Sequence, residues 1–267
     1  MNITRVSAIY FSPTGTTEEA VTAFISGMGI PFEDINLTTP RARQIFQRSF
    51  TKGELVVIGL PVYGGRLPPY LDDFFSDLDG DMTPTVATVT YGNRAYDDAL
   101  LELKLRLESR GFAVKAGATF IGEHTFSNKI ATGRPNSNDI AVITDMGKKV
   151  LASIVNNTPG KLAIKGYYPF TAKGWEPYST SPSHTQITTT EDCTLCGTCA
   201  EECPWGVINT DDFKTIDYTR CLRCFRCIKV CPVSAKQVTD ETFLNFLPEF
   251  EARLNANRCE PELFLPS

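Results

Sequence analysis

Over residues 1–156, short apolar runs of strand length alternate with stretches of helical spacing. Val6, Ala8, Ile9, Tyr10 and Phe11 form a run that stops at Ser12-Pro13-Thr14-Gly15-Thr16-Thr17; Ala20, Val21, Phe24 and Ile25 then share one helical face, which ends near Gly27 and Gly29. A second strand is expected over 32–37 and a polar helix over about 41–48. Leu55-Val56-Val57-Ile58-Gly59-Leu60 is continuously apolar, the pattern of a parallel strand covered on both faces. Strands at 85–91 and 113–121 flank a helix whose leucines at 100, 101, 103, 105 and 107 stop at Gly111, and a last helix is expected over about 138–155. Strand then helix, five times over, predicts an α/β unit with a doubly wound five-stranded parallel sheet. Ligands of such sheets sit beyond the carboxyl ends of the strands, so the loops after Phe11, Leu60, Tyr91 and Ile121 are where chemistry is expected.

The pattern then changes. Residues 157–187 are rich in Pro, Gly, Ser and Thr and read as a linker, yet Tyr167, Tyr168, Phe170, Trp175 and Tyr178 are too apolar for a solvated tether. This stretch is expected to pack on one or both of its neighbours, and His184 within it suggests no role. Residues 188–238 hold the cysteines and form a small second domain. In the tail, 239–267, Phe243, Leu244, Leu247, Phe250 and Leu254 keep helical spacing after an Asp240 start signal, with Pro248 as a kink, so a docked helix is expected.

Composition narrows the class. The 267 residues are 42% apolar and 21% charged, an ordinary globular mix, and contain no run of about 18 apolar residues that would span a bilayer. The start of the chain lacks the features of a secretory signal, which makes the cytoplasm the expected compartment. A formal charge of −5, from 26 Lys and Arg against 31 Asp and Glu, argues against nucleic acid as partner.

None of the nine cysteines precedes position 193, and eight fall between 193 and 231. Such crowding in a reducing compartment indicates metal ligation, not disulfides. Cys193, Cys196, Cys199 and Cys203 before Pro204 read C-x2-C-x2-C-x3-C-P, and Cys221, Cys224, Cys227 and Cys231 before Pro232 repeat every spacing. Structural zinc also takes four thiolates, but usually from two C-x2-C pairs and not from runs of three plus one. Residues 190–236 resemble a bacterial-type 2[4Fe–4S] ferredoxin. The resemblance implies a crossed ligation in which the last cysteine of each run serves the other cluster. Cys193, Cys196, Cys199 and Cys231 would hold cluster 1; Cys221, Cys224, Cys227 and Cys203 would hold cluster 2. The stretch between the runs, Val207-Ile208 and Lys214-Thr215-Ile216 around Asp211-Asp212, suits a small hairpin. Cys259 lies outside the array and reads as a spare thiol.

The loop Ser12, Thr14, Gly15, Thr16 and Thr17 combines hydroxyls with the free amides of a helix start, which suits a phosphate or, equally, ordinary helix capping. It has neither G-x-G-x-x-G nor the P-loop lysine, which disfavours a dinucleotide or triphosphate. At this place in a five-stranded unit, S-x-T-G-x-T resembles flavodoxin, and the resemblance implies a grip on the phosphate of FMN. It further implies that the loops holding Pro61, Val62, Tyr63, Gly64 and Gly65, and Tyr91, Gly92, Asn93 and Arg94, flank the isoalloxazine ring, with Tyr63 and Tyr91 as stacking candidates. Arg66 and Arg94 read either as charges favouring a reduced anionic flavin or as surface arginines. The fourth loop, 122–136, is long and polar, as lids and docking segments often are, and its His124 is a candidate proton donor.

Taken whole, the chain resembles the flavodoxin–ferredoxin fusion proteins called ferrodoxins, of anaerobic bacteria and archaea: a flavodoxin-like sheet followed by a small α+β ferredoxin-like domain. What this implies is an electron-transfer protein that joins FMN to two clusters and interconverts one- and two-electron steps. The alternatives are an FMN-dependent reductase of a small substrate, fed by the clusters, and a redox sensor. Two clusters at about −2 each and a flavin phosphate near −2 would take the charge from −5 to about −11. Arg220, Arg223, Arg226 and Lys229 then become local compensation, and the expected partners are redox proteins with a basic docking face.

Overall fold

The first strand, β1 (Arg5–Tyr10), buries every side chain after Arg5, as expected of a central parallel strand. The computed structural model describes residues 2–51, 53–69, 71–176 and 185–267, so Tyr178 and His184 lie outside the described residues. Chain order continues α1 (Thr16–Ser26), β2 (Phe32–Asn36), α2 (Pro40–Ile45), β3 (Glu54–Pro61), β4 (Pro84–Tyr91), α3 (Ala99–Ser109), β5 (Ala113–Ile121), α4 (Ser137–Val155), α5 (Glu241–Asn255) and β6 (Glu262–Phe264). The sheet order is β2-β1-β3-β4-β5-β6, with the first five strands parallel. That 2-1-3-4-5 order is the flavodoxin-like doubly wound arrangement, whose switch point lies between β1 and β3.

The sixth strand corrects the expectation of five. β6 comes from the tail and pairs antiparallel on the β5 edge, with Leu263 opposite Ala118. Three residues carry too little periodicity to announce a strand. The helix expected over 41–48 ends at Ile45, because Phe46 turns extended and Arg48–Ser49 pairs with Leu78–Asp79.

Two cores sandwich the sheet. On one face α1 and α4 cover Val6, Ala8, Val57 and Phe120; a Cβ on Gly147 would stand 1.8 Å from the Phe24 carbonyl oxygen, so the two helices approach backbone to backbone. The core on the other face continues without a break from Phe11, Leu60 and Leu100 into the cysteine-rich segment, through Trp205, Leu222 and Phe225. Phe11 and Trp205 stack at 5.5 Å between centroids. Arg43 of α2, buried, donates to the Pro204 carbonyl at 2.9 Å and lies 4.6 Å over the Trp205 ring. The two units thus share one hydrophobic core.

The linker packs in part: Phe170 and Trp175 are partly buried, whereas Tyr167 and Tyr168 are exposed. Buried Asp98 accepts from the backbone N–H of Tyr167, Thr171 and Ala172 at 2.8, 2.7 and 2.8 Å, and Arg66 lies 3.9 Å over the Phe170 ring. Asp240 caps α5 by accepting from Phe243 N–H at 3.0 Å. Between the cysteine runs, Ile208 and Ile216 form an antiparallel bridge, with Asn209 N–H donating to the Thr215 carbonyl: a small hairpin.

Candidate functional site

A cavity of about 420 Å³ opens at the carboxyl ends of the parallel strands. This size is within the range of small-molecule and cofactor sites. Every loop singled out by the topology reaches it: Thr14 and Thr16 after β1, Pro61 to Gly64 after β3, Tyr91, Gly92 and Arg94 after β4, and Gly122 to Phe126 after β5.

At the α1 end of the cavity, Gly15 is the N-cap of α1 with φ of 88°, and no side chain caps the helix in the usual way. Ser12 Oγ instead accepts from Glu18 N–H at 3.0 Å, while Ser12 N–H donates to Thr38 Oγ1 at 2.8 Å. The first amides of α1, at Thr16 and Thr17, therefore remain available to an anion. Ser12 and buried Thr17 shape this loop from behind and do not line the cavity.

Several expected contacts fall elsewhere. Gly65 is not in the cavity wall: its carbonyl accepts from Asp98 N–H, and a Cβ there would meet the Asp97 carboxylate at 2.2 Å. Asn93 is buried and its side chain is spent on the tail, donating to the Leu254 and Asn257 carbonyls at 2.6 and 2.9 Å and accepting from Cys259 N–H at 2.9 Å. Arg66 is turned away, paired with Glu102 at 2.6 Å. Arg94 reaches the cavity from an exposed position, ion-paired with Asp97. The Tyr91 ring lines the cavity but packs edge-on against Tyr96 at 5.5 Å. Tyr63 meets Trp175 edge-on at 6.5 Å.

His124 lines the cavity between Phe126 and Phe250, each 5.2 Å away between centroids. Burial, with Lys229 and Arg94 adding like charge, pushes its pKa down to about 4, and Nδ1 accepts from Phe126 N–H at 3.1 Å. The ring is therefore uncharged at neutral pH, with Nδ1 as an acceptor.

The sequence reading did not place four residues of the wall. Trp175 comes from the linker, and Phe246, Phe250 and Arg253 come from α5. Phe250 belongs to the helical face expected to dock, a face whose spacing does not say onto what; Phe246 and Arg253 lie outside that spacing.

The eight array cysteines line two further cavities, four to each: Cys203, Cys221, Cys224 and Cys227 in one, Cys193, Cys196, Cys199 and Cys231 in the other. All eight are free thiols. No group of three Cys, His, Asp or Glu side chains among the described residues converges closely enough for a single ion. The donor set fits a cluster, whose ligands stand around a core of several atoms, better than one zinc. The first foursome is buried; burial pushes Cys227 up to about 12 and raises Cys221 and Cys224 as well, so thiolates there depend on a cationic metal core. The second foursome opens outward, with Cys196 exposed. Backbone N–H groups of Arg223 and Ala235 point at Cys221 Sγ (3.4 Å) and Cys231 Sγ (3.2 Å), the kind of bond that tunes cluster potential.

The buried foursome adjoins the first cavity. Thr125, in the cavity wall, donates from Oγ1 to the Cys224 carbonyl at 2.6 Å, and Phe126 lies 5.2 Å from Phe225, which lines the foursome. Burial raises the hydroxyl of Tyr63, which lines the first cavity, well above its usual pKa. Arg226, ion-paired with Glu202, donates to the Pro13 carbonyl at 2.8 Å, tying the second cysteine run to the phosphate loop.

Fold and cysteine geometry define a flavodoxin-like α/β unit joined to a ferredoxin-type iron–sulfur unit. Residues 192–235 match the 4Fe–4S dicluster domain family. Solved structures similar to this chain include a flavodoxin from the domain Archaea, 12% identical over 57% of this chain and 99% of that one, TM-score 0.40. A short-chain flavodoxin associated with a non-canonical PDU bacterial microcompartment is 14% identical over 59% and 100%, TM-score 0.42. Two-electron reduced flavodoxin from Megasphaera elsdenii is 19% identical over 55% and 98%, TM-score 0.37. The iron–sulfur match supports an electron-transfer role, and no helix among the described residues is long and apolar enough to cross a membrane.

Proposed function

We propose that the chain binds FMN in the 420 Å³ cavity and one [4Fe–4S] cluster in each cysteine foursome, and relays electrons along the line outer cluster, inner cluster, flavin. The observation that carries the reading is the shared wall: Thr125 and Phe126 line the proposed flavin cavity and also touch Cys224 and Phe225. A flavin takes up electrons singly or in pairs whereas a cluster passes one, so the pairing supplies one-to-two-electron interconversion.

The chain's own residues do the rest. The α1 amides and the Thr14 and Thr16 hydroxyls anchor the phosphate. Trp175, Phe246 and Phe250 exclude water from the ring, and Arg226 and Arg43 lock the inner cysteine loop against the α/β unit. Exchange with outside redox proteins is at the outer foursome, where Cys196 is exposed, and a net negative chain favours a partner with a basic face.

Anaerobic reconstitution should give about eight iron, eight sulfide and one FMN per chain. In Cys203→Ser, dithionite should still reduce the outer cluster while its electrons no longer reach the flavin. Loss of the outer cluster instead, with the inner one intact, would overturn the crossed assignment; zinc, or no flavin, would overturn the reading itself.

A further inference from the structure

Lys236 is 2% exposed, among the largest fully buried side chains in the molecule. It sits five residues past the last array cysteine, in the two-residue strand Lys236–Gln237 that pairs antiparallel with Thr188–Thr189. Its ammonium donates to Thr189 Oγ1 at 2.8 Å, to the Phe213 carbonyl at 2.7 Å and to the Lys214 carbonyl at 3.4 Å. Three donors meet three neutral oxygens, so the geometry is that of the charged form. Among the described residues Lys236 makes no salt bridge; the partly exposed Asp212 feels its charge only at longer range. A buried cation with only neutral partners costs several kcal/mol unless a negative charge lies close by.

The cysteines supply that neighbour. Lys236 lines the outer cavity with Cys193, Cys196, Cys199 and Cys231. The Phe213 carbonyl that receives its ammonium also receives Cys199 Sγ, at 3.8 Å. The side chain thus lies where the charge of about −2 on an outer cluster would act on it.

Resting on the reading that each foursome holds a cluster, we propose that Lys236 is the built-in counter-charge of the outer cluster, a positioning residue that makes that cluster easier to reduce. The step is the gain of one electron by an oxidised cluster from an external donor, with no bond made or broken; it adds one negative charge, which a fixed positive charge favours.

The test uses the full-length reconstituted chain and an electron paramagnetic resonance titration with dithionite as donor. Iron and sulfide are counted first; a wild-type chain without iron defeats the cluster reading, not the role of Lys236. K236Q and K236M should shift the outer cluster's one-electron equilibrium at least tenfold toward the oxidised form, 59 mV lower. K236R should stay within threefold of wild type. If both neutral variants fail to load iron while K236R loads it, the requirement is for charge and the proposal holds. If the neutral variants load and titrate within twofold of wild type, or if K236R also fails to load, the side chain serves by shape alone and the proposal is overturned.

Discussion

Arg43 makes the sharpest energetic prediction, because one buried guanidinium joins the α/β unit to the loop that carries an inner cysteine. Nη1 donates to the Leu37 and Thr38 carbonyls at 3.1 and 2.9 Å, Nη2 to the Pro204 carbonyl at 2.9 Å, and Nε to Asp73 at 2.7 Å. Replacement by leucine leaves interior carbonyls without donors, at about 1–3 kcal/mol for each that water cannot reach. Loss of the stack on Trp205 adds about 0.5–2 kcal/mol. The Asp73 side chain is 52% exposed, so that ion pair adds under about 1 kcal/mol. With leucine recovering part of the loss by packing, Arg43→Leu should destabilise the chain by about 3–5 kcal/mol. The assay is urea unfolding followed by tryptophan fluorescence, alongside the rate of iron release to a chelator. Pro204 follows Cys203 directly, so the midpoint should fall and the inner cluster's iron should leave faster than the outer cluster's. A loss below about 1 kcal/mol, with unchanged iron release, would show that this arginine does not couple the units.

Three further outcomes are expected. Asp98→Asn keeps the shape of the linker anchor but weakens charge-assisted bonds from three amides, and should cost about 1–3 kcal/mol and speed proteolytic cutting within 157–176. Burial raises the Asp98 pKa, but the amides of Ala172, Tyr167 and Thr171 outweigh it and hold the carboxyl below its usual value; this stability is present above the unfolded pKa near 3.9 and is lost as pH falls through the folded one, a loss that pH-dependent melting should show and the variant should lack. For His124, whose folded pKa is depressed to about 4, the unfolded chain binds the proton first, so stability should decline as pH drops from about 6.5 to 4, and His124→Gln should flatten that decline. Gly15→Ala places a Cβ in open space but at φ of 88°, at about 1–2 kcal/mol; FMN titration by fluorescence should show roughly tenfold weaker binding, and unchanged affinity would remove the α1 amides from the phosphate site.

The parallel sheet was legible because β1 and β3 carry apolar runs and α1 a repeating face; Ala20, Val21, Phe24 and Ile25 are all buried, as their spacing required. The cysteine array was legible because its ligand spacing is local. What escaped were contacts made between segments far apart in the chain. Nothing in Tyr-Gly-Asn-Arg says that Asn93 will cap a tail more than 160 residues away, and Trp175 in a Pro- and Gly-rich stretch gives no sign of the cavity it walls. Lys236 gives no signal in the sequence, because a lone lysine ordinarily lies in solvent. Arg66 and Arg94 were weighed for a flavin, but carboxylates at Glu102 and Asp97, invisible as partners from the sequence, had the prior claim.

The strand β6 changes how the cysteine-rich segment is mounted. Its chain leaves the α/β unit after α4 and returns to it at β5, where Glu262 to Phe264 pair and Arg134 donates to the Cys259 carbonyl at 2.7 Å. The segment is therefore a bridge held at both banks, not a pendant on a single string. A pendant's redox centres would meet its neighbour's only as often as a flexible tether brings them together; a bridge fixes the gap once, at folding. Cutting the chain after Asn255 would release one bank and also bare the β5 edge, leaving a row of unpaired backbone groups open to another copy of the protein.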